Sequence, residues 1–243
     1  MIGIVLAAGF GRRLLPDTLS LPKTLLPVAD DRTILDVVLH NLRLVDLDEV
    51  VLVVGHQADA LRQRVPDLQE RHDLRLRLVD NDRVEWNNAY SLWLAREYFA
   101  QGALLVNGDT VHPVAVEHAL LRPGAGTGVR IAVDSVKTLT DEAMKVLLDD
   151  EDRVLRITKK MPVGDAHGEY IGAALIEPDA ATELALCLEK TWQGDPGLYY
   201  EDGLQLLADR TGAVGGTHIG RLDWVEVDDH ADLSRAREIA CRY

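Results

Sequence analysis

Three runs of the chain are almost uninterruptedly apolar: IGIVLAA (2–8), EVVLVVG (49–55) and ALLVNGD (103–109). Each is rich in branched residues and leads into a glycine, the pattern of strands buried on both faces of a parallel sheet. Between them apolar positions recur at helical spacing. TILDVVLHNLRLV (33–45) opens on a threonine suited to cap a helix. NNAYSLWLAREYF (87–99) opens on two asparagines and continues with Leu92, Leu94, Ala95, Tyr98 and Phe99. Of the pair, Asn88 adjoins the apolar stretch and is the expected cap. Strands alternating with helices predict βαβ units and a mostly parallel sheet.

Past residue 110 the pattern is less regular. VRIAVDSV (129–136), MKVLLDD (144–150) and RVLRITK (153–159) read as short strands, with a DDED turn between the last two. GEYIGAALIE (168–177) is a further strand, followed by a helix with a Pro-Asp start over 178–190. A helix through LYYEDGLQLLADR (198–210) and a strand at VGGTHIG (214–220) come next. DWVEVDDHADLSRAREIA (223–240) reads as strand, then a helix capped by Asp229 with Asp232 three residues on. There is no internal repeat or low-complexity linker. The expectation is one α/β domain over 1–243 with an elaborated C-terminal half.

Charge narrows the choice of partner. A net charge of −14 over 243 residues argues against nucleic acid, which needs a basic face. The first apolar run is too short for a signal peptide or a membrane span, so the expected location is cytoplasmic, away from membranes. Cys187 and Cys241 form neither a metal-ligand spacing nor a disulfide framework. The histidines at 40, 56, 72, 112, 118, 167, 218 and 230 include no i, i+4 pair, and none is expected to bind metal. Nothing in the helices sets an oligomeric state.

Ligands of open parallel sheets sit at the carboxyl ends of the strands. There the chain carries AAGFGRR, NGD and VEVDD. Gly9 and Gly11 allow a turn whose N–H groups form an anion-binding concavity. Arg13 can fork onto phosphate oxygens and Lys23 adds a point charge, so the loop suits a polyphosphate. A dinucleotide fingerprint would need glycine or alanine where Leu14 stands, and the G-K-[ST] of a Walker loop is absent. Glu226 and Asp228, at i and i+2, fall on one face of a strand. With Asp109 they offer oxygen ligands alone, which suits Mg²⁺.

The longer pattern LAAGFGRRLLP…LPKTLLPV resembles the signature of nucleotidyltransferases that make sugar nucleotides and related activated alcohols, L-A-A-G-x-G-[ST]-R-[LM] followed by P-K. Arg12 departs from it, standing where Ser or Thr is commoner. EWNNAYSLWLAREYF, DEAMKV, ITKK and GEYIG resemble the branch that uses CTP to activate phosphocholine, aminoalkylphosphonates or inositol 1-phosphate. Trp224-Val225-Glu226-Val227-Asp228-Asp229 stands where hexose-1-phosphate enzymes carry W-x-D-x-G-T.

The resemblance implies a Rossmann-like three-layer sandwich of GT-A-like type, with an NTP-binding half over 1–110 and an acceptor-binding half over 111–243. It implies transfer of CMP from CTP to a phosphorylated alcohol or phosphonate, with release of pyrophosphate. The same chemistry with GTP or UTP on a hexose or cyclitol 1-phosphate is the alternative, and an inactive nucleotide-binding module the more distant one. By the same resemblance, Asp109, Glu226 and Asp228 converge on one Mg²⁺. Arg13 and Lys23 are the catalytic cations. Leu6, Ala7, Ala8, Gly9, Gly11, Arg13, Asn87, Asn88 and Ser91 bind the nucleotide. Lys145, Lys160, Glu169, Tyr170, Glu201 and Asp202 shape the acceptor site, with Lys159 the lysine that turns to solvent. Trp86, Trp93 and Trp192 are candidates to cage a quaternary ammonium, Trp93 being better suited to the core.

Overall fold

The computed structural model describes residues 1–122 and 128–242. Strand β1 (Ile2–Ala7) leads through the glycine-arginine loop to helix α1 (Ile34–Leu44), then β2 (Glu49–Val54), α2 (Ala58–His72), β3 (Arg75–Asp80), α3 (Asn88–Leu94), β4 (Ala103–Asn107) and β5 (Thr110–Val111). Helix α4 (Ala115–Leu121) and strands β6 (Val129–Asp134), β7 (Lys145–Leu148), β8 (Val154–Thr158) and β9 (Gly168–Ile176) follow. The chain ends with α5 (Ala181–Gly194), α6 (Tyr200–Thr211), β10 (Val214–His218), β11 (Val225–Glu226) and α7 (His230–Ala240).

The main sheet runs β10-β6-β9-β4-β1-β2-β3. β1, β2, β3 and β4 are mutually parallel, as are β6 and β10, and β9 runs antiparallel between the two groups. The β7–β8 hairpin extends from β9, and β5 and β11 form a separate two-stranded ribbon.

Alternation explains why the apolar runs are continuous. Ile2 and Ile4 of β1, with Val51 and Val53 of β2, pack beside Leu92, Phe99, Leu184 and Leu204. Val5 and Ala7, with Val50, Leu52 and Val54, pack beside Leu35, Leu39, Leu61 and Val116. Both faces of the central strands are therefore covered, giving the expected three layers. Helix α7 closes a third cluster, in which Leu233, Ala236 and Ile239 meet Leu14, Leu26 and Val225.

The caps are set locally. Thr33 and Asp36 form a reciprocal capping box on α1, and Asp229 and Asp232 do the same on α7. The cap of α3 is Asn87 rather than Asn88: its side chain accepts from the Asn88 N–H. The helix starts one residue earlier than the apolar stripe, so Asn88 is already its first helical residue.

Helices α2 and α4 and the edge strand β3 have no counterpart in the sequence expectation. Among its residues α2 buries only Leu61, Leu68 and His72 and contains Pro66, so its apolar stripe is thin. β3 reads RLRLVD with arginines alternating outward at the sheet edge.

Candidate active site

The loop after β1 is shaped by Gly11, which adopts φ +59, where a Cβ would also lie 3.0 Å from Thr18 and 3.2 Å from Lys23. This close approach packs the glycine-arginine turn against the turn that carries Lys23. Gly108 is under a similar constraint: its N–H bonds the Leu6 carbonyl at 2.9 Å, and a Cβ would lie 2.6 Å from that oxygen. The β4–β5 turn is thereby pinned to the end of β1, which sets Asp109 beside the phosphate loop.

Here the acidic triad forms. Asp109, Glu226 and Asp228 each offer an oxygen, all within 4.8 Å of one another. They arrive from opposite sides of the β5–β11 ribbon, in which Glu226 pairs with Thr110 and the Val227 N–H bonds the Asp109 carbonyl at 2.8 Å. Lys23 Nζ lies 2.9 Å from Asp109 Oδ2 and 2.9 Å from Asp228 Oδ1, and Arg13 reaches Asp228 Oδ2 at 2.7 Å. Burial alone would lower the Lys23 pKa; the Asp109 and Asp228 charges outweigh it and raise it. Burial opposes ionisation of Asp228 in turn, but Lys23 and Arg13 hold it below the ordinary carboxylate range. Glu226 keeps surface open to the cleft while hemmed in by protein. Desolvation, then Asp109 and Asp228, push its pKa up to about 7. Asp109 Oδ1 is sealed from water without a hydrogen-bond partner. An all-oxygen set with one orphaned carboxylate oxygen fits a hard divalent cation.

The triad stands at one side of a cleft of about 250 Å³. Its walls include Leu6, Ala8, Gly9, Arg13, Asn87, Asn88 and Ser91. Ala7 and Gly11 do not line it: Ala7 points into the core and Gly11 supports the turn. Four further wall residues escape the sequence reading, namely Asn81, Val84, Asn107 and Tyr199, and Trp86 borders this cleft as well. Asn81 Nδ2 donates to Ser91 Oγ at 2.9 Å, so that serine is already held.

A second pocket, also about 250 Å³, adjoins the first, and Lys159 and Tyr199 belong to both walls. Lys160, Glu201 and Asp202 line it as expected. Lys159 does not turn away: β8 ends at Thr158, so strand alternation no longer governs 159–160 and both lysines border the pocket. Three residues expected at the acceptor do not line this pocket. Lys145 is 1% exposed, and its ammonium donates to the carbonyls of Asp141, Ala143 and Lys159 at 2.6, 3.2 and 2.7 Å. Glu169 is paired with Lys137 at 3.4 Å. Tyr170 is buried, its hydroxyl 3.0 Å from that of Tyr200.

The tryptophans do not form a cage. Trp86, Trp93 and Trp192 pack on one another and on Tyr90, with ring centroids 5.1–5.8 Å apart, while Arg83 and Arg96 cover Trp86 and Trp93. Only Trp86 among them reaches either cleft, and it borders the first. Glu201 is the unusual group of the second pocket. It is 5% exposed, its Oε2 has no partner, and burial, reinforced by Glu226 and Asp202, pushes its pKa up to about 8.

A polyphosphate loop and an acidic triad at the carboxyl ends of a sheet in this order belong to nucleotidyltransferases as a class. Residues 3–195 match the MobA-like NTP transferase domain, and the chain is a member of that family. It is 34% identical to the CMP-5'-(3-aminopropyl)phosphonate synthase of Streptomyces rubellomurinus over 96% of its own length, but spans only 38% of that protein. It is 25% identical to the 2-aminoethylphosphonate cytidylyltransferase of Lancefieldella rimae, over 98% of this chain and 89% of that one. The inositol-1-phosphate CTP transferase of T. maritima shares its fold, with a TM-score of 0.84 over 99% of this chain and 95% of that chain at 23% identity. No helix among the described residues is long and apolar enough to cross a membrane.

Proposed function

We propose that the protein transfers CMP from CTP to a small phosphonate or phosphate that carries a cationic amino group, releasing pyrophosphate. The observation that carries this reading is the pair of joined pockets, with Arg13 and Lys159 on the walls of the first and Glu201, buried with Oε2 unbonded, in the second. An aminoalkylphosphonate has the matching polarity, an anion to meet Lys159 and an ammonium to meet Glu201. A sugar or cyclitol phosphate brings no positive charge to favour ionisation of that carboxyl. Relatives named for aminopropyl- and aminoethylphosphonate support the same acceptor class.

In this reading an ionised acceptor oxygen attacks the α-phosphorus of CTP, the new P–O bond forms, and the bond to the β-phosphate oxygen breaks. The nucleophile is already anionic, so no general base is needed. The work is positioning and charge neutralisation. Lys23 and Arg13 exchange Asp109 and Asp228 for phosphate oxygens, and the loop backbone at Ala8 and Gly9, which borders the cleft, holds the departing pyrophosphate. Lys159, at the wall shared by both pockets, draws the acceptor's anionic group towards the α-phosphate. Asp109, Glu226 and Asp228 would hold a Mg²⁺, which supplies further neutralisation of the triphosphate.

The test is pyrophosphate release with Mg²⁺ across four nucleoside triphosphates and five acceptors: 2-aminoethylphosphonate, 3-aminopropylphosphonate, phosphocholine, inositol 1-phosphate and glucose 1-phosphate. Turnover under CTP with the cationic acceptors is expected. Turnover only with GTP or UTP on the uncharged-headed phosphates would replace this reading with the hexose or cyclitol one.

A further inference from the structure

Three asparagines of the nucleotide cleft direct side-chain hydrogen bonds away from it, onto one short segment of the acceptor pocket. Asn87 Nδ2 donates to the Gly197 carbonyl at 3.0 Å, and the Asn87 N–H donates to the Pro196 carbonyl at 2.8 Å. Asn88 Oδ1 accepts from the Tyr200 N–H at 2.9 Å. Asn107 Oδ1, at the end of β4, accepts from the Tyr200 hydroxyl at 3.0 Å. Asn107 is held in place in turn: Gly172 packs so closely that a Cβ there would lie 2.5 Å from its amide nitrogen. The receiving segment runs from Asp195 into the first turn of α6 and supplies Gly197, Leu198, Tyr199, Glu201 and Asp202 to the acceptor pocket.

We infer that Asn87, Asn88 and Asn107 are positioning residues for the acceptor, latching the 195–202 segment to the nucleotide side so that Tyr199 and Glu201 face the α-phosphate. This deepens the function proposed above and rests on it. The chemistry favours a latch over base reading for two of the three side chains. Asn87 uses one lone pair of its oxygen as the α3 cap and one amide proton on Gly197, which leaves half of its hydrogen-bonding capacity for a base edge. Asn88 uses its oxygen on a backbone N–H at the start of α6, one of the donors a helix cannot satisfy internally. The consequence is that substitutions in the nucleotide cleft change acceptor affinity.

Asn87→Ser keeps a capping oxygen but is too short to reach Gly197. Asn88→Leu removes the acceptor for Tyr200, and Asn88→Asp restores it. Steady-state kinetics and amide hydrogen exchange are measured on all three. Losing the part-buried bond to the Tyr200 N–H predicts a rise in acceptor KM of roughly 5–50-fold for Asn88→Leu, and losing the exposed bond to Gly197 a smaller rise of roughly 2–10-fold for Asn87→Ser, with the CTP KM nearly unchanged. Asn88→Asp should return the acceptor KM towards wild type, and exchange at 197–202 should quicken only in the first two variants. A rise in CTP KM alone, an equal rise in both, or no change in either overturns the latch. Hydrogen exchange needs no turnover, so unchanged protection at 197–202 overturns it even if the nucleotide and acceptor grid has refuted the proposed reaction. A dark grid with quickened exchange refutes the reaction and leaves the latch without an acceptor to position, which overturns its assigned role.

Discussion

Replacing Glu201 with Gln removes one ionisable proton from a site that holds it unusually tightly. Burial, then Glu226 and Asp202, raise the carboxyl from an ordinary 4.5 to about 8 in the folded protein. The folded state therefore keeps a proton that the unfolded chain releases. Stability from this group is greatest below pH 4.5 and is lost as pH rises to about 8, with a slope of about 1.4 kcal/mol per pH unit. Between pH 5 and pH 8 the wild type should lose about 3 kcal/mol relative to Glu201→Gln. For a chain of this length that is a melting-temperature gap widening by roughly 6–12 °C over the interval. Thermal melts at pH 5, 6, 7 and 8 read it directly. The same substitution should raise the KM for 2-aminoethylphosphonate at least roughly tenfold, since the ammonium loses its buried partner, while the CTP KM stays put. Wild-type acceptor binding near pH 7 should release up to about one proton, measurable by titration calorimetry in buffers of different ionisation enthalpy. A melting gap independent of pH, together with unaltered acceptor binding, would refute the reasoning.

Asp109→Asn should leave the melt nearly unchanged and cut Mg²⁺-supported pyrophosphate release roughly 100-fold or more; near-normal release sinks the metal assignment. Lys145→Met strands three carbonyls and should cost about 3 kcal/mol of stability in denaturant melts. Lys159→Ala should instead leave the melt alone and raise the acceptor KM at least roughly tenfold, so the reverse pattern would exchange the roles of the two lysines. Asp36 is opposed by burial, but hydrogen bonds from His72 and Thr33 hold it at about 2 against an ordinary 3.8. Its stabilisation is present above pH 3.8 and is lost as pH falls through about 2. Asp36→Asn should therefore cost about 2 kcal/mol at neutral pH and nothing in strong acid, as acid-dependent melts would show.

The phosphate loop, the three central strands, the caps at Thr33 and Asp229 and the acidic triad were legible because each is written in a short window. A strand buried on both faces needs a continuous apolar run, and a capping box needs two residues three apart. The same locality explains the errors. Asn87 and Asn88 satisfy a cap pattern equally well, and the choice rests on where the helix axis begins. Lys145 lies on a strand whose spacing allows it to face the ligand, but its ammonium meets three carbonyls, one of them contributed by Lys159.

By itself the amino-acid sequence determined the α/β order, the family and the charges that a nucleotidyl transfer requires, since these follow from periodicity and from residue types at fixed spacing. Only the tertiary structure decided which of three nearby lysines border the second pocket, that Glu201 stands buried in its wall with Oε2 unbonded, and that asparagines of one pocket bond the wall of the next. Those outcomes depend on desolvation and on partners about a hundred residues away, as in Asn88 to Tyr200 and Asn107 to Tyr200. No local pattern records such a contact, because its energy exists only once both segments have been brought together and water has been excluded from between them.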